Sequence, residues 1–174
     1  MITVRSTISG NQLDCLAAAV SLRLPPGARR AMRTDAFHGA VDIIGTTERG
    51  GHVVAAAIAD DDARHTVLEY AAERASELGL PLRVVHVWDG HRRYPDLLLD
   101  AALYDDLDAA TAADAEREIC HDRHPAHALS AVSRDAALLV VAATGKPAAS
   151  HPLGATAAGL IGHTACPLTI VLPT

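Results

Sequence analysis

The sequence predicts an α/β protein built on a parallel, doubly wound open sheet with helices on both faces, and three observations carry that prediction. Short apolar runs at 53–58, 82–88 and 136–143, rich in Val, Leu, Ile and Ala, have the length and composition of strands buried on both faces. Stretches with helical spacing separate them, which is the alternation of a parallel sheet crossed by helices. Apolar residues make up 49% of the 174 positions but aromatic residues only 3%, so the core must be thin layers of small aliphatic side chains. Helices laid on a sheet fill such layers.

Residues 1–51 read as an amino-terminal extension and 52–174 as the main domain. The extension begins with Met1-Ile2-Thr3-Val4-Arg5-Ser6-Thr7-Ile8, an alternating strand candidate. Ser9-Gly10-Asn11 then turns into a helix carrying Leu13, Cys15, Leu16, Ala19 and Val20. Residues 24–36 hold two prolines and several arginines and read as a linker, followed by a short extended segment at 40–45.

In the domain, residues 53–58 form the first strand. Asp60-Asp61-Asp62 offers helix N-cap candidates and negative charge at a helix start, with Val67, Leu68, Ala71, Ala75 and Leu78 at helical spacing behind it. Gly79 stops this helix and Pro81 follows. Residues 82–88 form a second strand, completing a βαβ unit. A stretch without Gly or Pro, 97–119, is dense in Ala, Leu, Asp and Glu and reads as one long helix. Pro125 opens a third helix with Ala128, Leu129 and Val132 on one face. Residues 136–143 are another strand, 144–152 a loop, 154–164 a helix weakened by glycine, and 168–172 a closing strand. Pro167 in front of that strand suits a sheet edge.

Charge and composition exclude several classes of function. The formal net charge of −6 is spread without a basic block, so nucleic acid is not an expected partner. No leader-like start and no run of eighteen apolar residues occur, which predicts a cytoplasmic protein with no membrane contact. Cys15, Cys120 and Cys166 are odd in number and lie outside any CxxC spacing, so reduced thiols are expected. His121, His124 and His127 are three apart, but Pro125 interrupts them and no further ligand completes a metal set, so they read as a solvated helix junction. His86, inside a strand, reads as a core histidine with a satisfied ring. No nucleophile elbow or carboxylate pair nominates catalytic residues.

The blocks Leu82-Arg83-Val84-Val85-His86-Val87-Trp88, His124-Pro125-Ala126-His127-Ala128-Leu129, Ser133-Arg134-Asp135-Ala136-Ala137-Leu138-Leu139-Val140-Val141 and His163-Thr164-Ala165-Cys166-Pro167-Leu168-Thr169-Ile170-Val171 resemble, in this order, those of the universal stress protein family. The resemblance runs from His52 to the carboxyl terminus. It implies a Rossmann-like fold of the adenine nucleotide α-hydrolase-like type, and ATP as the candidate cofactor. The family's ATP-binding loop reads G-x2-G-x9-G-[ST], in which glycines admit backbone N–H groups to the phosphates and a hydroxyl adds a donor. Here the first glycine position falls on Ala142 and the second on Gly145. The end of the motif falls either on Ala155-Thr156, counting from Gly145, or on Gly154-Ala155, counting back from Cys166-Pro167.

The same resemblance places Val87 where backbone faces adenine, and Ala59 where the family carries an Asp directed at the nucleoside. Asp60 is one residue late and reads as a helix cap, while Lys146 is a further candidate for phosphate charge. A third strand of the family finds no room between residues 119 and 125, so residues 2–8 are expected to pair beside 82–87 in its stead. The expected function is that of a stress-response regulatory protein with weak or lost ATP binding, acting through dimerisation or partner interaction. The alternative is a functional ATP-dependent sensor. The last strand, 168–172, is expected to form a homodimer through its open edge.

Overall fold

The structure, a computed structural model, describes residues 9–44, 50–91, 93–146 and 150–174. Seven strands form one sheet: β1 (Met32–Asp35), β2 (Ala40–Ile43), β3 (Val53–Ile58), β4 (Leu82–Trp88), β5 (Glu116–His121), β6 (Ala136–Ala142) and β7 (Leu168–Val171). Their order is β1-β2-β7-β6-β3-β4-β5. From β7 to β5 every pairing is parallel, and β1 and β2 add an antiparallel hairpin at one side. The fold is thus the doubly wound α/β sheet that the sequence predicts.

Among the described residues six α-helices accompany the sheet: α1 (Gly10–Arg23), α2 (Arg64–Leu78), α3 (Pro95–Asp106), α4 (Ala109–Asp114), α5 (Pro125–Val132) and α6 (Ala155–Leu160). Alternation along β3 divides the core into two layers. Val53 and Ala55 face Leu16 and Val20 of α1, Leu129 of α5 and Leu160 of α6, whereas Val54 and Ala56 face Leu68 of α2 and Leu99 and Leu103 of α3. Both layers are needed because a strand buried on both faces has no solvated side to offer. Helix α2 ends where Gly79 enters the left-handed region at φ 64°, and the N–H groups of Gly79 and Leu80 close on the carbonyls of Ser76 and Ala75. This is a Schellman cap, whose glycine avoids a Cβ penalty.

The structure revises four expectations. The stretch 97–119 is two helices and the start of a strand, not one helix: α3 ends at Asp106, Asp108 caps α4 by accepting from the Thr111 amide at 3.0 Å, and β5 begins at Glu116. Charge helps to hold β5, since Arg83 of β4 lies opposite Glu116 and pairs with it at 2.8 Å and with Glu118 at 3.5 Å, while Ile119 packs on the core. The place beside 82–87 is therefore filled by 116–121, and the proposed pairing partner, residues 2–8, lies outside the described residues. The presumed linker contains a 3-10 turn (Ala28–Ala31) and β1. Finally, the closing strand is not an open edge. β2 covers β7 along its length, with Val41 opposite Ile170, so the unpaired backbone on which the expected homodimer rested is absent.

Candidate functional site

The chain leaves β3 toward β4 and β5 on one side and returns to β6 and β7 on the other, so the sheet order reverses beside β3. Ligands of open α/β sheets sit at such a reversal, beyond the carboxyl ends of the strands. A cavity of about 260 Å³ lies there. Ala57 of β3, Val85 and Val87 of β4, Val141 of β6 and Leu129 of α5 give it an apolar wall. Its rim is made by the segment after β3, by Thr144 and Gly145 after β6, and by Gly154, Ala155 and Thr156 at the start of α6.

The sequence-nominated residues converge on this cavity. Ala59, Val87, Ala142, Gly145, Gly154, Ala155 and Thr156 all line it. Gly154 is pressed against β6: its amide donates to the Ala143 carbonyl at 2.6 Å, and a Cβ on it would stand 3.2 Å from that oxygen. It is the N-cap of α6, so Ala155 takes the first helical position and Thr156 the second. Between the two ways of ending the motif, the structure puts the glycine at the cap and an alanine directly after it.

Asp60 and Lys146 are not part of the lining. Asp60 does not cap α2, whose N-cap is Ala63. The neighbouring Asp61 does the local work by accepting from the Ala63 amide at 3.0 Å through Oδ1. Lys146 borders a separate cavity of about 200 Å³ on the α1 side, with Asn11, Gln12 and Cys15. Its carbonyl accepts from the Thr144 hydroxyl at 2.8 Å.

Sequence reasoning missed Asp61 and Arg64, which supply the charge of this cavity among the described residues. Asp61 stands at its mouth and leans over the loop: a Cβ built on Gly145 would lie 2.8 Å from Asp61 Oδ2, and the Asp62 amide donates to the Gly145 carbonyl at 3.2 Å. The two loops are thereby stitched together. Partial burial raises the Asp61 carboxyl above the usual range; the Ala63 amide opposes this, and the neighbouring Asp62 and Asp60 charges add to the rise. Arg64 is committed elsewhere, with Nε 2.7 Å from Asp106 and its terminal nitrogen 3.8 Å from Asp105 on α3. The three consecutive aspartates were the available signal, but they read equally well as a helix start.

The histidines make protein contacts. His86 Nδ1 lies 3.1 Å from the Ile58 carbonyl, so its ring is satisfied as expected, although the residue is half-buried rather than in the core. His124 is the N-cap of α5 and His127 pairs with Asp122 at 2.7 Å, which makes that cluster a helix junction. Among the described residues no group of three His, Cys, Asp or Glu is placed to hold a metal ion.

Residues 51–171 match the model of the universal stress protein family. Among solved structures, a universal stress protein in complex with cAMP is 22% identical, with a TM-score of 0.58, over 72% of this chain and 100% of that one. A universal stress protein from Archaeoglobus fulgidus is 21% identical, with a TM-score of 0.53, over 71% of this chain and 93% of that one. A functionally unknown protein from Pseudomonas aeruginosa is 15% identical, with a TM-score of 0.57, over 97% of this chain and 69% of that one. None of the curated proteins matches this chain.

Proposed function

This chain belongs to the universal stress protein family, and we propose that it is a stress-response regulatory protein whose cavity has weak or lost ATP binding and which acts by contact with a protein partner. One observation carries the reading: the Asp61 carboxylate leans over Gly145, the glycine of the loop that would cradle phosphates. A carboxylate and a phosphate brought to the same loop repel each other, and the low polarity of the cavity wall increases that cost. Among the described residues of the lining no free cation compensates, because Arg64 is held by Asp106.

Three substitutions act in the same direction. Ala142 adds a methyl group where backbone approach to phosphate is wanted, Ala155 lacks the hydroxyl donor, and Ala59 lacks the carboxylate expected to meet the nucleoside. The residues present therefore do not fit a triphosphate, and no catalytic step on ATP is derived from them. The reading takes the protein to be cytoplasmic; among the described residues no helix is long and apolar enough to cross a membrane.

A second reading, nucleotide sensing, is favoured by the cavity itself, whose apolar wall and two retained glycines lie at the sheet reversal. Mass spectrometry of small molecules released from the purified, denatured protein separates the two readings. The proposal expects no stoichiometric adenine nucleotide, and ATP recovered at about one per chain overturns it.

A further inference from the structure

The side of the sheet closed by β2 shows, by the manner of its closing, what it excludes. β2 runs antiparallel to β7, with Ala40 opposite Val171, Val41 opposite Ile170, Asp42 opposite Thr169 and Ile43 opposite Leu168. β7 itself belongs to a parallel set. A two-fold axis perpendicular to an edge strand generates an antiparallel mate, so β2 has the direction that β7 of a second copy would have in such a pair. Without β2, the strand would present a row of unpaired N–H and C=O groups, the usual template for association of copies.

The hairpin is fitted to this place by more than its backbone. Ala40 and Val41 are fully buried, and Val41 shares a core layer with Leu16 and Val20 of α1. Asp42 accepts from the Thr169 hydroxyl at 2.6 Å and from the Tyr70 hydroxyl at 3.4 Å. Thr169 is almost wholly buried, and the run Leu168–Val171 contains no acid, so another β7 could offer it a neutral partner but no carboxylate. A hydrogen bond to a carboxylate is stronger than one between neutral groups, so the hairpin holds Thr169 better than a second copy would.

Fastenings at the turn add to this. His38 Nδ1 lies 2.6 Å from Asp35 and Nε2 lies 3.1 Å from Glu73 of α2, while the Leu172 amide donates to the Gly39 carbonyl at 2.8 Å. The edge that results is β1, four residues long and carrying Arg33 and Asp35. Short, charged edges discourage further pairing.

We propose that residues 32–43 are a built-in stand-in for the β7 strand of a second copy, that they keep the chain monomeric, and that Asp42 sets the preference for the hairpin. Directly opposed residues of an antiparallel pair have Cα atoms about 4.5–5.5 Å apart, within reach of a disulfide. In the full chain with Cys15→Ser and Cys120→Ser, Thr169→Cys alone and Thr169→Cys with Asp42→Cys are oxidised at micromolar concentration and separated without reductant. The double variant is expected to close its bond within one chain, and the single variant to give no covalent dimer. A covalent dimer of the single variant, or a folded double variant that forms no bond within the chain, overturns the proposal. Light scattering of the unmodified chain gives a reading independent of the substitutions: a mass of 18.2 kDa is expected, and a doubled mass overturns it.

Discussion

Replacing Asp61 by Asn removes the charge at the cavity mouth while keeping the shape and the acceptor that holds the Ala63 amide at 3.0 Å. A phosphate oxygen bound to the Gly145 amide would lie roughly 5 Å from the Asp61 carboxylate; a unit charge pair at that separation is worth about 3 kcal/mol at an effective dielectric constant near 20, and less than 1 kcal/mol in bulk water. Asp61 stands at an exposed mouth, so screening places the value between these limits, at about 1–1.5 kcal/mol. That corresponds to a gain of about tenfold in ATP affinity. Titration calorimetry with ATP and with adenosine, at low and at high salt, reads it. Adenosine carries no phosphate, so its binding should not change, and the gain for ATP should shrink as salt shortens the Debye length. An unchanged or weakened ATP affinity refutes the argument, and so does an equal gain for adenosine, which would trace the effect to shape rather than charge.

Other consequences are equally concrete. Gly51→Ala places a Cβ 2.0 Å from the Ala136 carbonyl carbon and 2.2 Å from its oxygen, backbone atoms of β6 that cannot turn aside; a loss of more than about 3 kcal/mol is expected in denaturant unfolding. Burial, reinforced by the Asp42 charge, pushes the Tyr70 hydroxyl up to about 12. Spectrophotometric titration should show a tyrosine ionising near that pH, and Tyr70→Phe should abolish the step. At Asp35 burial opposes ionisation, but the hydrogen bonds and charge of His38 outweigh it and hold the carboxyl below its usual value. The stabilisation is therefore complete above the unfolded carboxylate value and is lost as pH falls through the lowered folded one, so Asp35→Asn should make the unfolding midpoint less pH-dependent between about pH 5 and 3.

How much could be read from the sequence follows from what each element is held by. β3, β4 and β6 are held by apolar burial on both faces, and their composition says so; α2 announces itself through spacing and Gly79. β5 is different. Its Glu-Arg-Glu start favours a helix by local propensity, and it becomes a strand in the tertiary setting, where it pairs along β4, packs Ile119 and Cys120 on the core and meets Arg83, thirty-three positions earlier, opposite Glu116. Tertiary charge pairing of this kind leaves no local trace. The extended segment at 40–45 was legible and is β2, but its place against β7 was not, since nothing near Ala40 or Asp42 reveals that Thr169 is the partner across the sheet.

At the cavity, Ala142 and Gly145 could be placed by their spacing after β6, whereas the end of the motif could be counted two ways and Lys146 lies outside the lining. Asp61 was not legible, because its role depends on how the segment after β3 curls against Gly145. An aspartate two places past the expected position looks like part of a helix start, and its Oδ1 does accept from the Ala63 amide, yet its second oxygen faces the loop. The local bond and the electrostatic effect come from one side chain, and only the first has a sequence signature.

The account rests on a cavity whose charge opposes phosphate, and titration of the unmodified protein with ATP tests it most directly. The losses at Ala59, Ala142 and Ala155, together with the Asp61 charge, predict a dissociation constant weaker than about 100 μM, the affinity left when several donor contacts worth about 1 kcal/mol each are missing. A dissociation constant in the low micromolar range or tighter would contradict the account.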